Sequence, residues 1–117
     1  LFTKLLLPKI KASQPARIVN LSSLAHRLVP ERGIEFEKLN DPIAFDSMPR
    51  YAQSKLANIL FTDELNKRYL EGEQSRIEEK NYLVNYFEPF GNESERSTFA
   101  EDDDLTKRLW KFTENLI

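Results

Sequence analysis

The chain has 117 residues, which is enough for one small domain with a single hydrophobic core. It is 40% hydrophobic and 31% charged, a composition typical of a globular chain rather than a disordered or membrane-spanning one. The net charge of -2 gives no overall basic surface, so we expect no nucleic-acid partner. The sequence has no cysteine, which excludes disulfides, cysteine-based zinc sites and cysteine nucleophiles, and a cytoplasmic location is favoured.

The charge is distributed unevenly along the chain. Residues 1 to 70 carry 11 Lys and Arg against 7 Asp and Glu, whereas residues 71 to 117 carry 6 against 12. This shift predicts a boundary near Glu71 between a first segment, 1–70, and an acidic tail, 71–117. No apolar run in the chain reaches the roughly 20 residues that a membrane helix needs, so no membrane segment is expected within it.

The first elements are predicted to be a helix and a buried strand. Residues 1 to 13 have the apolar spacing of a helix that is ending. The stretch "ARIVNLSS", residues 16 to 23, predicts a strand whose apolar core is Ile18, Val19 and Leu21. A nearly continuous apolar run of this kind is typical of a strand buried on both faces, hence of a parallel sheet.

A long irregular stretch then leads into the strongest helix signal of the chain. Residues 24 to 47 show little sustained period, and a loop of this length tends to be functional. From Pro49 to Tyr69 the sequence predicts a helix, because proline suits a first turn and apolar residues recur at helical spacing. The members of this apolar stripe are Ala52, Leu56, Ile59, Leu60 and Phe61.

The acidic tail is predicted to end in a further helix. Residues 71 to 81 are polar and suit a linker, and the aromatic-rich residues 82 to 91 suit a short strand or a packed irregular segment. Residues 101 to 117 predict a helix whose acidic start complements the helix dipole, with Trp110 in the core. The "EDDD" run at its start would also suit a divalent metal, but helix capping is the simpler explanation, so no metal site is expected.

Tyr51 and Lys55 are the pair in this sequence best suited to chemistry. Their i, i+4 spacing places both side chains on one face of the predicted helix. A phenol is a poor acid–base group at neutral pH, but a nearby ammonium stabilises the phenolate and lowers a phenol's pKa towards a useful range. Ser22 and Ser23, at the end of the predicted strand, could hydrogen-bond a substrate carbonyl or alcohol.

Each of these motifs also has a simpler interpretation. An isolated YxxxK is more often an exposed helical Tyr and Lys, and a serine pair after a strand is more often a turn or a helix cap. His26, the single histidine, follows the serines and could touch substrate, but a loop histidine is more often structural or exposed to solvent.

The order of these motifs resembles the short-chain dehydrogenase/reductase family. "PARIVNLSSLAH", then a long loop, then "YAQSKLANILFTDELNKR" is most similar to its retinol-dehydrogenase-like members, over about residues 1 to 70. The resemblance implies that Ser23 is the catalytic serine, that Tyr51 is the proton donor and acceptor, and that Lys55 binds the nicotinamide ribose. It also implies a small alcohol or carbonyl substrate, with NADP or NAD as the cofactor at Tyr51 and Lys55.

The same resemblance implies an α/β fold, a Rossmann-like doubly wound parallel sheet, of which this chain is a helix-rich part. Residues 1–70 would form the catalytic half of that domain, and 71–117 its C-terminal tail. The three glycines form neither of the family's Gly-rich phosphate-binding patterns, and the sequence expected after Tyr69 looks deleted. We therefore expect a truncated or partial member of the family.

A partial member raises a second hypothesis, in which the chain is catalytically inactive and acts by association. The apolar stripe of the 49–69 helix could then form a homo-oligomer interface. The alternative is that the stripe packs into the chain's own core, which is what amphipathic helices usually do.

Overall fold

The computed structural model of the chain describes residues 2–13, 16, 18–43, 46–70 and 96–116. These ranges contain three α-helices, which we number α1 (Phe2–Ala12), α2 (Ser47–Leu70) and α3 (Asp103–Asn115). Three short 3-10 helices lie between them, at Leu24–Arg27, Phe36–Lys38 and Thr98–Glu101. The described part is helix-rich, and none of its helices is long and apolar enough to cross a membrane.

The long helix α2 confirms the strongest prediction of the sequence. Pro49 lies in its first turn, where a missing N–H has no consequence, and Lys67 and Arg68 lie in its last turn, next to the negative end of the dipole. Four residues of the predicted stripe are buried, namely Ala52, Leu56, Ile59 and Leu60. The stripe therefore packs inside the chain, as the simpler of the two sequence interpretations requires.

Helix α3 confirms the predicted capping by the acidic run. An Asp102 carboxylate oxygen accepts a hydrogen bond from the Leu105 N–H at 2.9 Å. The carboxylate of Asp103 pairs with the Lys67 ammonium on α2. The carboxylate of Asp104 lies 3.9 Å from the Arg108 guanidinium one turn later.

The three helices share two adjoining hydrophobic clusters. The first joins α2 to the loop and to residues 100–105 of the tail, and its buried members are Ile34, Leu56, Ile59, Leu60, Ala100 and Leu105. The second joins all three helices, and its buried members are Leu7, Leu65 and Trp110. The Trp110 ring stacks on Phe61 of α2 with ring centroids 5.7 Å apart. Residues of the first segment and of the acidic tail thus bury one another.

The strand predicted for residues 16 to 23 does not form among the described residues, which contain no β-strand. Ile18, Asn20 and Ser22 are half-buried, whereas Val19 and Leu21 are 78% and 76% exposed. The expectation of burial on both faces was therefore wrong. One side of the segment lies on α2, and no neighbouring strand is present in the described ranges to pair its backbone or cover its other side.

The long loop predicted after the serines follows the surface of α2. Its described residues include the two 3-10 helices at Leu24–Arg27 and Phe36–Lys38. The buried Gln53 side chain of α2 accepts a hydrogen bond from the Glu35 N–H at 2.9 Å, which holds the middle of the loop on the helix. The predicted linker, 71–81, and the aromatic-rich stretch, 82–91, lie outside the described residues.

Candidate active site

Tyr51 and Lys55 lie near the start of α2 and face the same side of it. The Lys55 Nζ atom is 5.4 Å from the centroid of the Tyr51 ring, within the range of a cation–π contact. Tyr51 is 46% exposed, so a small molecule can approach its hydroxyl. The next residue of the helix, Ala52, is fully buried, and this anchors the turn that carries the pair.

The two serines have different roles in the structure. The Ser22 hydroxyl donates a 2.8 Å hydrogen bond to the Lys55 carbonyl. This bond fixes Ser22 and Ser23, which we call the serine turn, on the same helix as the Tyr–Lys pair. The Ser23 hydroxyl oxygen accepts a hydrogen bond from the Ala25 N–H at 3.2 Å and caps the Leu24–Arg27 helix. Because Ser23 uses an oxygen lone pair in this contact, its own hydroxyl proton is still available for donation.

A row of polar contacts holds residues 20 to 22 along α2. The Asn58 side-chain amide donates to the Leu21 carbonyl at 2.8 Å. The Asn20 amide donates to the Thr62 hydroxyl at 2.8 Å, and that hydroxyl donates to the Asn58 carbonyl at 2.6 Å. Sequence reasoning missed Asn58 and Thr62. The sequence does carry a signal for them, since they follow Lys55 at helical spacing along one face of the predicted helix.

His26 is completely buried, which supports the structural interpretation of this residue over contact with substrate. Its Nδ1 atom lies 2.8 Å from the Ser23 carbonyl oxygen, and its Nε2 atom accepts a hydrogen bond from the Ser97 N–H at 3.2 Å. Burial lowers the pKa of His26; the Ser23 carbonyl opposes this effect, and the positive charges of Arg27 and Arg96 add to it.

A crevice of about 450 Å³ lies elsewhere on the molecule, between the second half of α2 and residues 96–106 of the tail. Within it the Arg96 guanidinium and the Asp63 carboxylate form a 2.6 Å ion pair. Burial raises the pKa of Asp63 and outweighs the opposing effect of Arg96. Asp63 follows Tyr51 by about three helical turns, and the residues lining the crevice include none of the predicted catalytic set.

The described part of the chain offers residues for only one end of the dinucleotide that the resemblance implies. The residues expected at the nicotinamide ribose are Lys55 and Tyr51, whose side chains leave one face of α2. The pyrophosphate end needs backbone exposed by glycine, and Gly33 is the one glycine among the described residues. A Cβ atom at Gly33 would meet Leu105 Cδ2 at 2.8 Å and Phe99 Cδ1 at 3.0 Å, so its lack of a side chain serves core packing and forms no phosphate cradle.

Comparison with known proteins identifies relatives for about three fifths of the chain. It is 54% identical over 69 residues to retinol dehydrogenase 13 of Mus musculus, which covers 58% of this chain. It is 52% identical over 68 residues to retinol dehydrogenase 11 of Homo sapiens. It is 43% identical over 76 residues to the chloroplastic short-chain dehydrogenase TIC 32 A of Brassica napus, over 61% of this chain.

The matched region is a small part of each relative. It spans 20% of the mouse and human proteins and 24% of the Brassica protein. No family profile and no solved structure matches the chain.

Proposed function

We propose, from its partial membership of the retinol-dehydrogenase-like short-chain dehydrogenases, that this chain carries the proton-transfer residues of an oxidoreductase acting between an alcohol and a carbonyl. One observation carries the proposal. Tyr51 and Lys55 share a face of α2, and the Ser22–Ser23 turn is hydrogen-bonded to the backbone of that same helix.

Each member of the set has a distinct role in this proposal. In carbonyl reduction, the Tyr51 hydroxyl gives its proton to the oxygen that becomes the alcohol; in alcohol oxidation, the phenolate takes a proton back. The Lys55 ammonium stabilises that phenolate and binds the ribose of the nicotinamide nucleotide. Ser23 donates its hydroxyl proton to the substrate oxygen and orients it.

The hydride carrier expected for such a site is NADP or NAD, which supplies the redox chemistry when bound. Lys55 and Tyr51 are the residues of this chain that would hold its nicotinamide end. The resemblance implies a small alcohol, aldehyde or ketone as the substrate, and the exposure of Tyr51 lets such a molecule reach its hydroxyl.

The first test is a titration of the purified chain with NADPH and NADH, followed by cofactor fluorescence. We expect saturable binding, weakened at least tenfold by Lys55→Ala and unchanged by the control Lys111→Ala on the exposed side of α3. We expect Tyr51→Phe, which removes the hydroxyl that transfers the proton, to lower turnover of an aldehyde by roughly 100-fold or more, the usual contribution of general acid–base catalysis. No binding up to millimolar cofactor would overturn the proposal.

The alternative is a catalytically inactive chain that associates with a second copy. The apolar stripe of α2 is buried in the chain's own core, so the observation that favours association is instead the exposure of Val19 and Leu21 beside that helix. Sedimentation velocity over a wide concentration range tests it. Two results together would favour this alternative. The chain would bind no cofactor, and the double variant Val19→Ser, Leu21→Ser would abolish its association.

A further inference from the structure

The His26 ring bridges two parts of the chain that are far apart in sequence. Its Nδ1 atom contacts the Ser23 carbonyl, three residues earlier, and its Nε2 atom contacts the Ser97 N–H, 71 residues later. The His26 ring is fully buried, and its two partners are half-buried. One side chain therefore ties the serine turn to the first described residues of the tail.

The partners of His26 determine where its proton lies. A carbonyl oxygen can only accept, so the Nδ1 atom facing Ser23 carries the proton. A backbone N–H can only donate, so the Nε2 atom facing Ser97 is the unprotonated acceptor. Both contacts can exist together only in the neutral ring with its proton on Nδ1.

We propose that neutral His26 is a positioning residue that holds the Ser22–Ser23 turn against the tail, and that protonation of its Nε2 atom breaks the link to Ser97. On the tail side, Ser97 directly precedes the Thr98–Glu101 helix, and Ala100 of that helix lies in the core. On the other side, the His26 ring contacts the carbonyl of Ser23, which is the residue that caps the Leu24–Arg27 helix. The consequence for catalysis rests on the proposed function, in which Ser23 orients the substrate; the link itself does not.

The charges around His26 set the direction of its pH dependence. Arg27 on its own helix and Arg96 on the tail both disfavour a charged ring, and on α2 Asp63 is paired with Arg96. The pKa of His26 is lower in the folded chain than in the unfolded one, so the unfolded chain binds more protons as the pH falls below about 6.5. The link thus contributes fully above that pH and is lost as the pH falls through the lowered pKa.

A single histidine makes the inference directly testable by NMR without cofactor or substrate. We expect the ring ¹³C and ¹⁵N shifts to report the tautomer with the proton on Nδ1 and a titration midpoint below 6.5. We also expect the Ser97 and Ala25 amide signals to shift with that same midpoint. A midpoint at or above 6.5, or a Ser97 amide that does not follow it, would overturn the proposal.

Two variants at Ser97 separate the link from general packing. Ser97 has φ near -71°, which proline adopts, so Ser97→Pro removes the N–H donor with little backbone change. We expect Ser97→Pro to raise the titration midpoint of His26 towards 6.5 and to change the chemical shift of the Ala25 amide. Ser97→Ala keeps the N–H and removes a hydroxyl that has no hydrogen-bond partner, so it should leave both unchanged.

A third variant tests the role of the acceptor. His26→Gln cannot titrate near neutral pH but keeps an oxygen near the Nε2 position. We expect its Ser97 amide to lose the pH dependence and to keep a hydrogen-bonded chemical shift. Equal pH dependence in this variant and in the wild-type chain would contradict the inference, whatever the outcome of the cofactor titration.

Discussion

Two hydrogen bonds place the candidate serines against α2. The serine turn lies on α2 because Ser22 donates to the Lys55 carbonyl and Asn58 donates to the Leu21 carbonyl. A typical intramolecular hydrogen bond contributes about 1 kcal/mol, so two of them hold the turn without a covering strand. The turn and the Tyr–Lys pair are therefore both positioned by the same helix.

Among the described residues, Gly33 has a backbone conformation that favours glycine. Its φ is +71°, in the left-handed region, and Leu105 and Phe99 fill the space where a Cβ would lie. We expect Gly33→Ala to destabilise the chain by about 1–2 kcal/mol from the backbone conformation alone, with a further loss from repacking. Urea unfolding measures the effect, and the exposed neighbour Arg32→Ala should stay within about 0.5 kcal/mol of the wild type. A Gly33→Ala chain as stable as its parent would contradict this explanation.

At the scale of elements, helix α3 begins directly after Asp102, whose side chain caps it. We expect Asp102→Ala to lower the free energy of unfolding by about 1 kcal/mol, because the Leu105 N–H loses its acceptor. Thermal and urea unfolding followed by circular dichroism check this result.

A matched control lies two residues beyond that cap. Asp104 is exposed, and its carboxylate makes only a 3.9 Å contact with Arg108. Such surface pairs contribute about 0–1 kcal/mol, so Asp104→Ala should cost less than Asp102→Ala. Equal losses for the two variants would show that general first-turn charge, rather than the cap, stabilises α3.

The packing of the whole molecule joins the first segment and the tail in one core. Trp110, the single tryptophan, stacks on Phe61 and shares a buried cluster with Leu7 and Leu65, so its fluorescence reports the docking of α3. We expect Trp110 fluorescence and helical circular dichroism to change together in a single urea transition, as cooperative small domains do. A fluorescence change at lower urea than the loss of helix would show that α3 docks as a separate unit.

The sequence by itself determined α2 and α3, the cap of α3, and the shared face of Tyr51 and Lys55. All of these depend on neighbours within about four residues, which local spacing encodes. The apolar stripe of α2 was likewise predicted, with its burial in the chain's own core as the simpler alternative. The motif order also predicted the resemblance to retinol-dehydrogenase-like short-chain dehydrogenases, and relatives of that kind match about three fifths of the chain.

Only the tertiary structure decided the conformation of residues 18 to 23 and the contacts of His26. A run such as "RIVNLS" has the local pattern of a strand, but a strand exists only with a partner, and the described part of the chain supplies a helix on one side instead. The link from His26 to Ser97 joins residues 71 positions apart, and no periodicity in a single sequence reports such a contact. Local propensity sets which helices form, whereas burial and long-range hydrogen bonds decide which side chains the folded chain leaves exposed and which it holds in place.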